Sequence, residues 1–219
     1  MARVIQPQGT RGSLKWLQIA VNECPVVLNK EIRTEGQIAW LSPKREDDFA
    51  EYKDSEFLRL VGCGNLASAL AEFWPKRGPQ WDALARTDQG EVLIVEAKAH
   101  IPELFSPSSA ARSESRAKID AALNRTSSFL KARPATPWGE HFYQLANRLA
   151  HLMFLREHNV NAQLVFLNFI GDKDMNGPMS QSEWDVAYIV AEHVLGLPKN
   201  HKLSKYVQHA YVDVRSLVN

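Results

Sequence analysis

The sequence predicts an α/β fold, a three-layer α/β/α sandwich with a mixed central sheet. The segment 92–95 is apolar at every position and the segment 162–170 at all but Gln163 and Asn168, which is typical of central strands covered by helices on both faces. Apolar residues recur at helical spacing between and after these strands, and helical crossovers of this kind join parallel strands. The turn sequence at 87–90 adds an antiparallel hairpin, so the predicted sheet is mixed.

The chain before the hairpin is predicted to be mainly helical. We expect 1–12 to be a tail and Ser13 to cap the first helix. The helices are expected at 14–22, 54–61 and 65–74, with a short strand at 38–41.

Strands and helices alternate in the second half of the chain. Helices are predicted at 113–132, from Pro137 to about 153, and at 180–194, and strands at 162–170 and 209–215. We expect a single domain spanning 1–219, with its core at about 54–170 and a C-terminal helix and strand within 180–215.

The composition indicates one soluble domain. The chain has 219 residues, of which 45% are hydrophobic and 23% are charged, and this balance excludes a disordered protein. The apolar runs are too short for a signal peptide or a membrane span. Cys24 and Cys63 show neither disulfide nor metal spacing. We therefore expect a cytoplasmic protein that does not contact a membrane.

The overall charge is nearly zero but is distributed unevenly. There are 26 Lys and Arg against 25 Asp and Glu, so binding to nucleic acid through overall charge is excluded. The segment 31–56 is acidic, and the segment 108–133 is basic. A role in nucleic-acid binding would therefore depend on a local site. We expect a second subunit or a partner protein to strengthen binding to the nucleic acid.

The hairpin brings two acidic residues to one position on the sheet. With a three-residue loop and Gly90 in the left-handed conformation, Asp82 lies opposite Glu96. Cross-strand Cβ atoms are about 4.5–5.5 Å apart, so the two carboxylates repel each other unless a cation compensates them. Mg²⁺ prefers this ligand set, with water and phosphate completing its shell. Lys98 shares the face of Glu96 and adds a positive charge.

This pattern of Pro79, Asp82 and Glu96-Ala97-Lys98 resembles the PD-(D/E)xK nuclease superfamily, which has the restriction-endonuclease-like fold. The resemblance covers about 54–170, although two residues separate Pro79 from Asp82 here. It implies metal binding by Asp82, Glu96 and the backbone carbonyl of Ala97, with Lys98 as the catalytic lysine. It also implies hydrolysis of phosphodiester bonds, in DNA, with Mg²⁺ or Mn²⁺.

The resemblance suggests further residues around this site. The family often carries an acid on its first helix, for which Glu56 is the candidate and Glu72 the rival. Strand alternation, independently of the resemblance, places His100 on the face of Glu96 and Lys98, where it could contact the scissile phosphate, extend the metal shell, or pack and hydrogen-bond at the strand end. The following helix flanks the site in that family, so candidates for phosphate contacts are Arg112, Arg116 and Lys118.

Each of these residues also has an ordinary structural interpretation. Glu56 suits the first turn of a helix, and the basic helix suits a solvated face. The stripe formed by Gln144, Asn147, Arg148 and His151 is expected to face solvent or another subunit, and Trp81 to pack in the core.

Two other functions stay open on the sequence alone. One is a catalytically silent nuclease-fold module that binds DNA or a protein partner. The other is a small-molecule enzyme on a different α/β fold, in which Glu96 and Lys98 form an ion pair and Asp82 does not face Glu96.

Overall fold

The computed structural model describes residues 2–108, 111 and 113–218 and forms a mixed α/β structure. Its strands are β1 (Arg3–Val4), β2 (Ile38–Ser42), β3 (Glu51–Tyr52), β4 (Ala83–Thr87), β5 (Val92–Lys98), β6 (Ala162–Ile170) and β7 (Val207–Asp213). Its α-helices are α1 (Gly12–Asn22), α2 (Pro25–Lys30), α3 (Asp54–Leu60), α4 (Ala67–Phe73), α5 (Ser113–Leu130), α6 (Tyr143–Glu157) and α7 (Gln181–Val194). None of the helices in this part of the chain combines the length and apolar character needed to cross a bilayer.

Five of the strands form one open mixed sheet in the order β2-β4-β5-β6-β7. The first three are antiparallel neighbours, whereas β5, β6 and β7 run parallel to one another. Helices α5 and α6 lie between β5 and β6 in the chain, and α7 lies between β6 and β7, so helices connect the parallel strands. The short strands β1 and β3 form a separate pair.

The predicted register of the hairpin is confirmed. Ala83 pairs with Val95 and Arg86 with Val92, which is the register that puts Asp82 across from Glu96. Gly90 has a φ of 82°, and its N–H donates to the carbonyl of Thr87 over 2.9 Å. Glycine tolerates this conformation because it has no Cβ, so the turn sequence fixes the register of the strands.

Apolar side chains are buried on both faces of the sheet. Val92 and Ile94 of β5 pack in the core shared with α3 to α7, whereas Leu93 and Val95 pack in the core shared with α1 and α2. All seven residues of β5 are buried. This arrangement explains why β5 is apolar at consecutive positions, since a strand covered on both faces has no solvent-facing side.

Several boundaries differ from those that the sequence predicts. Helix α6 begins at Tyr143 and not near Pro137, because Trp138 is buried and donates from Nε1 to the carbonyl of Leu195 over 2.9 Å. Phe142 then has a left-handed φ of 53°, which separates the preceding loop from the helix.

The sheet also reaches beyond the segment expected to form the core. Strand β2 forms one edge of the sheet by pairing with β4, and β7 forms the other edge. In the chain, helices α3 and α4 therefore lie between β2 and β4, two strands that pair with each other. Within the segment expected to be a tail, strand β1 pairs with β3, and Arg3 forms an ion pair with Asp47.

Candidate active site

Three residues that the sequence singles out meet where β4 begins and β5 ends. Glu96 and Lys98 are two positions apart in β5, so both side chains lie on the face covered by α6. Asp82 directly precedes β4, and its Oδ2 accepts a hydrogen bond from the backbone N–H of Ala97 over 2.7 Å. The hairpin therefore brings Asp82, Glu96 and Lys98 into one site.

Glu96 is buried between two cations. Its Oε1 accepts a hydrogen bond from Lys98 Nζ, and its Oε2 accepts one from Arg148 Nε over 2.6 Å. Lys98 Nζ also donates to Gln144 Oε1 over 3.1 Å. Glu96 is 2% exposed, Lys98 6% and Arg148 3%. Because an unpaired charge would be costly at this depth, the three ionised groups depend on one another.

The polar stripe on α6 is part of this site, so the expectation that it faces solvent is wrong. Asn147, Arg148 and His151 are buried. The guanidinium of Arg148 donates to Asn147 Oδ1 over 2.9 Å and to the carbonyl of Gln80 over 2.8 Å. Each of the three guanidinium nitrogens thus finds an acceptor near the end of the sheet, which holds Arg148 in one position.

Trp81 packs in the core, as the sequence predicts. Its side chain is fully buried, with ring centroids 5.7 Å from Phe57 and 6.0 Å from His151. The Arg148 guanidinium carbon lies 4.7 Å from the centre of the Trp81 ring. Trp81 therefore supports the same arginine that pairs with Glu96.

Glu51 is a site residue that the sequence did not single out. Its buried carboxylate accepts hydrogen bonds at Oε2 from the side-chain amides of Gln6 and Gln80, and it lines a cleft together with Asp82. The backbone N–H of Trp81 donates to the carbonyl of Tyr52 over 3.0 Å, which holds Glu51 beside the start of β4. This long-range pairing left no local sequence signal.

The surroundings shift the pKa values of Asp82 and Glu96 in opposite directions. Burial raises the pKa of Asp82 well above its usual range, and the neighbouring Glu96 carboxylate raises it further. Burial also opposes ionisation of Glu96, but Arg148 and Lys98 outweigh it and lower the pKa of Glu96. Burial would lower the pKa of Lys98, yet Glu96 and Asp82 reverse that effect and raise it. The two carboxylates therefore favour the charged form of Lys98.

Glu51 makes the stability of the fold depend on pH. Burial is the largest effect and, with the charge of Glu96, raises the pKa of Glu51 from 4.5 to about 7. A carboxyl group whose pKa is raised in the folded state destabilises that state as pH rises from about 4.5 to 7, and the full penalty persists above this range. Glu51→Gln should remove a penalty of about 3 kcal/mol at pH 8 and change little at pH 4.

Urea unfolding in EDTA at a series of pH values measures this difference. The prediction fails if the free energies of unfolding of the variant and the wild type differ equally at pH 4 and pH 8.

Mg²⁺ fits the chemistry of these donors. The site holds three carboxylates, on Glu51, Asp82 and Glu96, against the two cations of Lys98 and Arg148. Ionised Asp82 therefore lacks a compensating charge that a hard cation would supply, and the carbonyl of Ala97 adds a neutral oxygen ligand. Glu96 would have to exchange one of its present partners. Within the described ranges, no three His, Cys, Asp or Glu side chains stand ready at metal-binding distance from one another.

Two open clefts meet at Asp82. One, of about 410 Å³, is lined by Glu96, Lys98 and Gln144. The other, of about 480 Å³, is lined by Glu51, Arg77, Arg148 and Gln144. Both clefts are polar and open to solvent, so Asp82 can be reached from two sides.

Other candidates from the sequence lie outside these clefts. Glu56 forms an ion pair with Arg59 on α3, the rival Glu72 is exposed, and Nδ1 of His100 lies 3.2 Å from Glu103 Oε1. Glu103 itself lines the cleft that contains Lys98. On α5, Arg116 Nε bonds Asp120 over 2.9 Å, and Lys118 Nζ donates to the carbonyl of Ala71 over 3.0 Å. Arg112 lies outside the described residues.

The chain was compared with protein-family models, with curated proteins and with solved structures, and none of the three comparisons gave a match. The geometry of the site is therefore the basis for assigning a function.

Proposed function

We propose that the protein is a divalent-metal-dependent nuclease that hydrolyses phosphodiester bonds, with DNA as its substrate. The fold would be a three-layer α/β/α sandwich with a restriction-endonuclease-like core. The observation that carries the proposal is the meeting of Asp82, Glu96 and Lys98 at the end of an antiparallel hairpin whose second strand is parallel to β6. A buried lysine bonded to a buried carboxylate at a cleft also favours a functional site.

Asp82, Glu96 and the carbonyl of Ala97 would hold Mg²⁺ or Mn²⁺. When bound, the cation would neutralise the charge of the scissile phosphate and make its coordinated water more acidic. Lys98 would orient the attacking water and stabilise the negative charge that develops on the phosphoryl oxygens. Its ammonium group is positioned by hydrogen bonds to Glu96 and Gln144.

Glu51 suits the proton transfers of the reaction. Hydrolysis requires the attacking water to lose a proton and the leaving oxygen to gain one. A carboxyl group with a pKa of about 7 exchanges protons efficiently at neutral pH, and Glu51 lines the cleft that contains Asp82. Glu51 would therefore accept or donate one of these protons.

A second candidate function is a catalytically silent module that binds DNA. The specific observation in its favour is that Lys98 and Arg148 already occupy both carboxylate oxygens of Glu96. If a metal ion displaces neither Lys98 nor Arg148 from Glu96, the site would be charged but would not catalyse cleavage. The small net charge favours a second subunit or a partner protein in either case.

One assay separates the two functions. Purified protein is incubated with single-stranded DNA, duplex DNA and RNA in Mg²⁺, in Mn²⁺ and in EDTA. Cleavage that requires the metal supports the nuclease. Salt-sensitive binding of DNA with no cleavage in any metal supports the silent module and rejects the nuclease.

A further inference from the structure

A separate cavity lies between α3, α4 and α6, beyond the candidate active site. Its volume is about 400 Å³, which is within the range of about 300–1,000 Å³ typical of ligand pockets. Leu70 and Trp74 form an apolar wall, and the loop at 76–78 closes one side. Asp54 accepts hydrogen bonds from the backbone N–H groups of Arg77 and Gly78, over 3.2 and 2.9 Å, so this loop is held in place.

One buried polar group of this cavity has no partner. His151 is 1% exposed and lines the cavity, and its Nδ1 lies 2.9 Å from the carbonyl of Asn147. A carbonyl accepts only from N–H, so Nδ1 carries the proton and Nε2 is an acceptor. Within the described part of the chain, Nε2 makes no hydrogen bond. It faces Gly78, since a Cβ built there would lie 3.8 Å from it.

The surroundings of His151 are aromatic on one side and basic at the rim. The centroid of the Trp74 ring is 4.8 Å from that of His151. Lys53, Lys76 and Arg77 line the cavity against the single carboxylate of Asp54. Lys118 bonds the carbonyl of Ala71, which is also a lining residue. Burial, with the charge of Arg148, lowers the pKa of His151 to about 3, so Nε2 stays an acceptor at neutral pH.

We propose that this cavity receives one unstacked base of a nucleic-acid strand. A nucleobase has a flat, apolar face for the wall formed by Leu70 and Trp74 and at least one N–H group for Nε2 of His151, and its flanking phosphates would meet the basic rim. The apolar wall disfavours a bare phosphate, and Nε2 of His151, which can only accept a hydrogen bond, disfavours a carboxylate. The single pocket also fits one base better than a continuous duplex.

The cavity adjoins the candidate active site. Arg77 lines both this cavity and the cleft that contains Asp82, and His151 lies one turn after Asn147 and Arg148 on α6. If a base of a nucleic-acid strand enters the cavity, the sugar-phosphate backbone of that strand would therefore pass Arg77 toward Asp82. This inference rests on the proposed function only for the direction of the strand, since base binding requires no catalysis.

Binding of a short, fluorescein-labelled, single-stranded DNA oligonucleotide in EDTA tests the proposal by fluorescence anisotropy. His151→Phe keeps an aromatic ring and removes the acceptor, and we expect about fivefold weaker binding. Ala67→Phe places a bulky side chain in the cavity and keeps the imidazole of His151, and we expect at least about tenfold weaker binding. His158→Phe is the matched control, because Nδ1 of His158 likewise lies 2.8 Å from a carbonyl of α6, that of Phe154, but His158 does not line this cavity.

Three results would overturn the proposal. In the first, both cavity variants bind the strand as tightly as the wild type does. In the second, both variants lose as much affinity for an abasic strand as for the intact one. In the third, free deoxynucleoside monophosphates bind more tightly than the strand. A wild type that binds the strand but does not cleave it would reject the nuclease and leave this inference intact. Cleavage that is unchanged in both cavity variants, together with unchanged binding, would reject only the cavity.

Discussion

Replacing Lys98 by methionine should reduce metal-dependent cleavage by at least about 100-fold. The substitution keeps most of the length of the side chain and removes the ammonium group bonded to Glu96. Glu96 would retain Arg148, so the buried carboxylate keeps one cation and the domain should remain folded. The water and the phosphoryl oxygens would lose their cationic partner. Initial cleavage rates in Mg²⁺, compared at saturating DNA, measure the effect.

Lys30→Met is the matched control for this prediction. Lys30 is an exposed residue of α2, which packs on the opposite face of the sheet from Glu96 and Lys98. Its loss should leave the cleavage rate unchanged. Equal rates in Lys98→Met and the wild type would remove Lys98 from the mechanism and with it the basis for the proposed activity.

Replacing Arg148 by methionine should lower the free energy of unfolding by about 3 kcal/mol or more. Arg148 bonds Glu96, Asn147 and the carbonyl of Gln80 at a position with 3% exposure. Removing one partner of a buried ion pair leaves the other charge uncompensated, which costs about 3–5 kcal/mol. Chemical denaturation at neutral pH in EDTA measures the loss.

A double-mutant cycle assigns the loss to the ion pair. If the charge of Glu96 causes it, Glu96→Gln combined with Arg148→Met should cost clearly less than the sum of the two single variants. Arg125→Met is the control, because Arg125 pairs with Glu157 on the exposed surface and should contribute less than about 1 kcal/mol. An Arg148 variant as stable as the Arg125 variant would contradict the buried network.

The hairpin and the central strands could be predicted because their signals are local. The turn at 87–90 contains its own glycine, and the two-sided apolar strand β5 needs no distant residue to be recognised. The ends of α6 and β7 are less predictable, since tertiary contacts set them. Trp138 bonds Leu195, which is distant in sequence, and this contact keeps the loop before α6 out of the helix.

The candidate site was predictable in part for the same reason. Asp82 and Glu96 follow from the hairpin register, and Lys98 from strand alternation. Glu51 and Arg148 come from segments whose positions depend on the whole fold, so an acidic stretch and a polar helix stripe looked like surface. One signal could have identified Arg148. It is a pair of polar residues at helical spacing on a helix that packs against the end of a strand carrying a buried acid.

Diffraction from crystals soaked in Mn²⁺ tests the central claim most directly. We predict anomalous density for a Mn²⁺ ion coordinated by the carboxylates of Asp82 and Glu96 and by the carbonyl of Ala97. Either Lys98 or Arg148 should then be displaced from Glu96. A Glu96 carboxylate that remains bonded to both Lys98 and Arg148, with no anomalous density beside Asp82 at saturating Mn²⁺, would contradict the metal site.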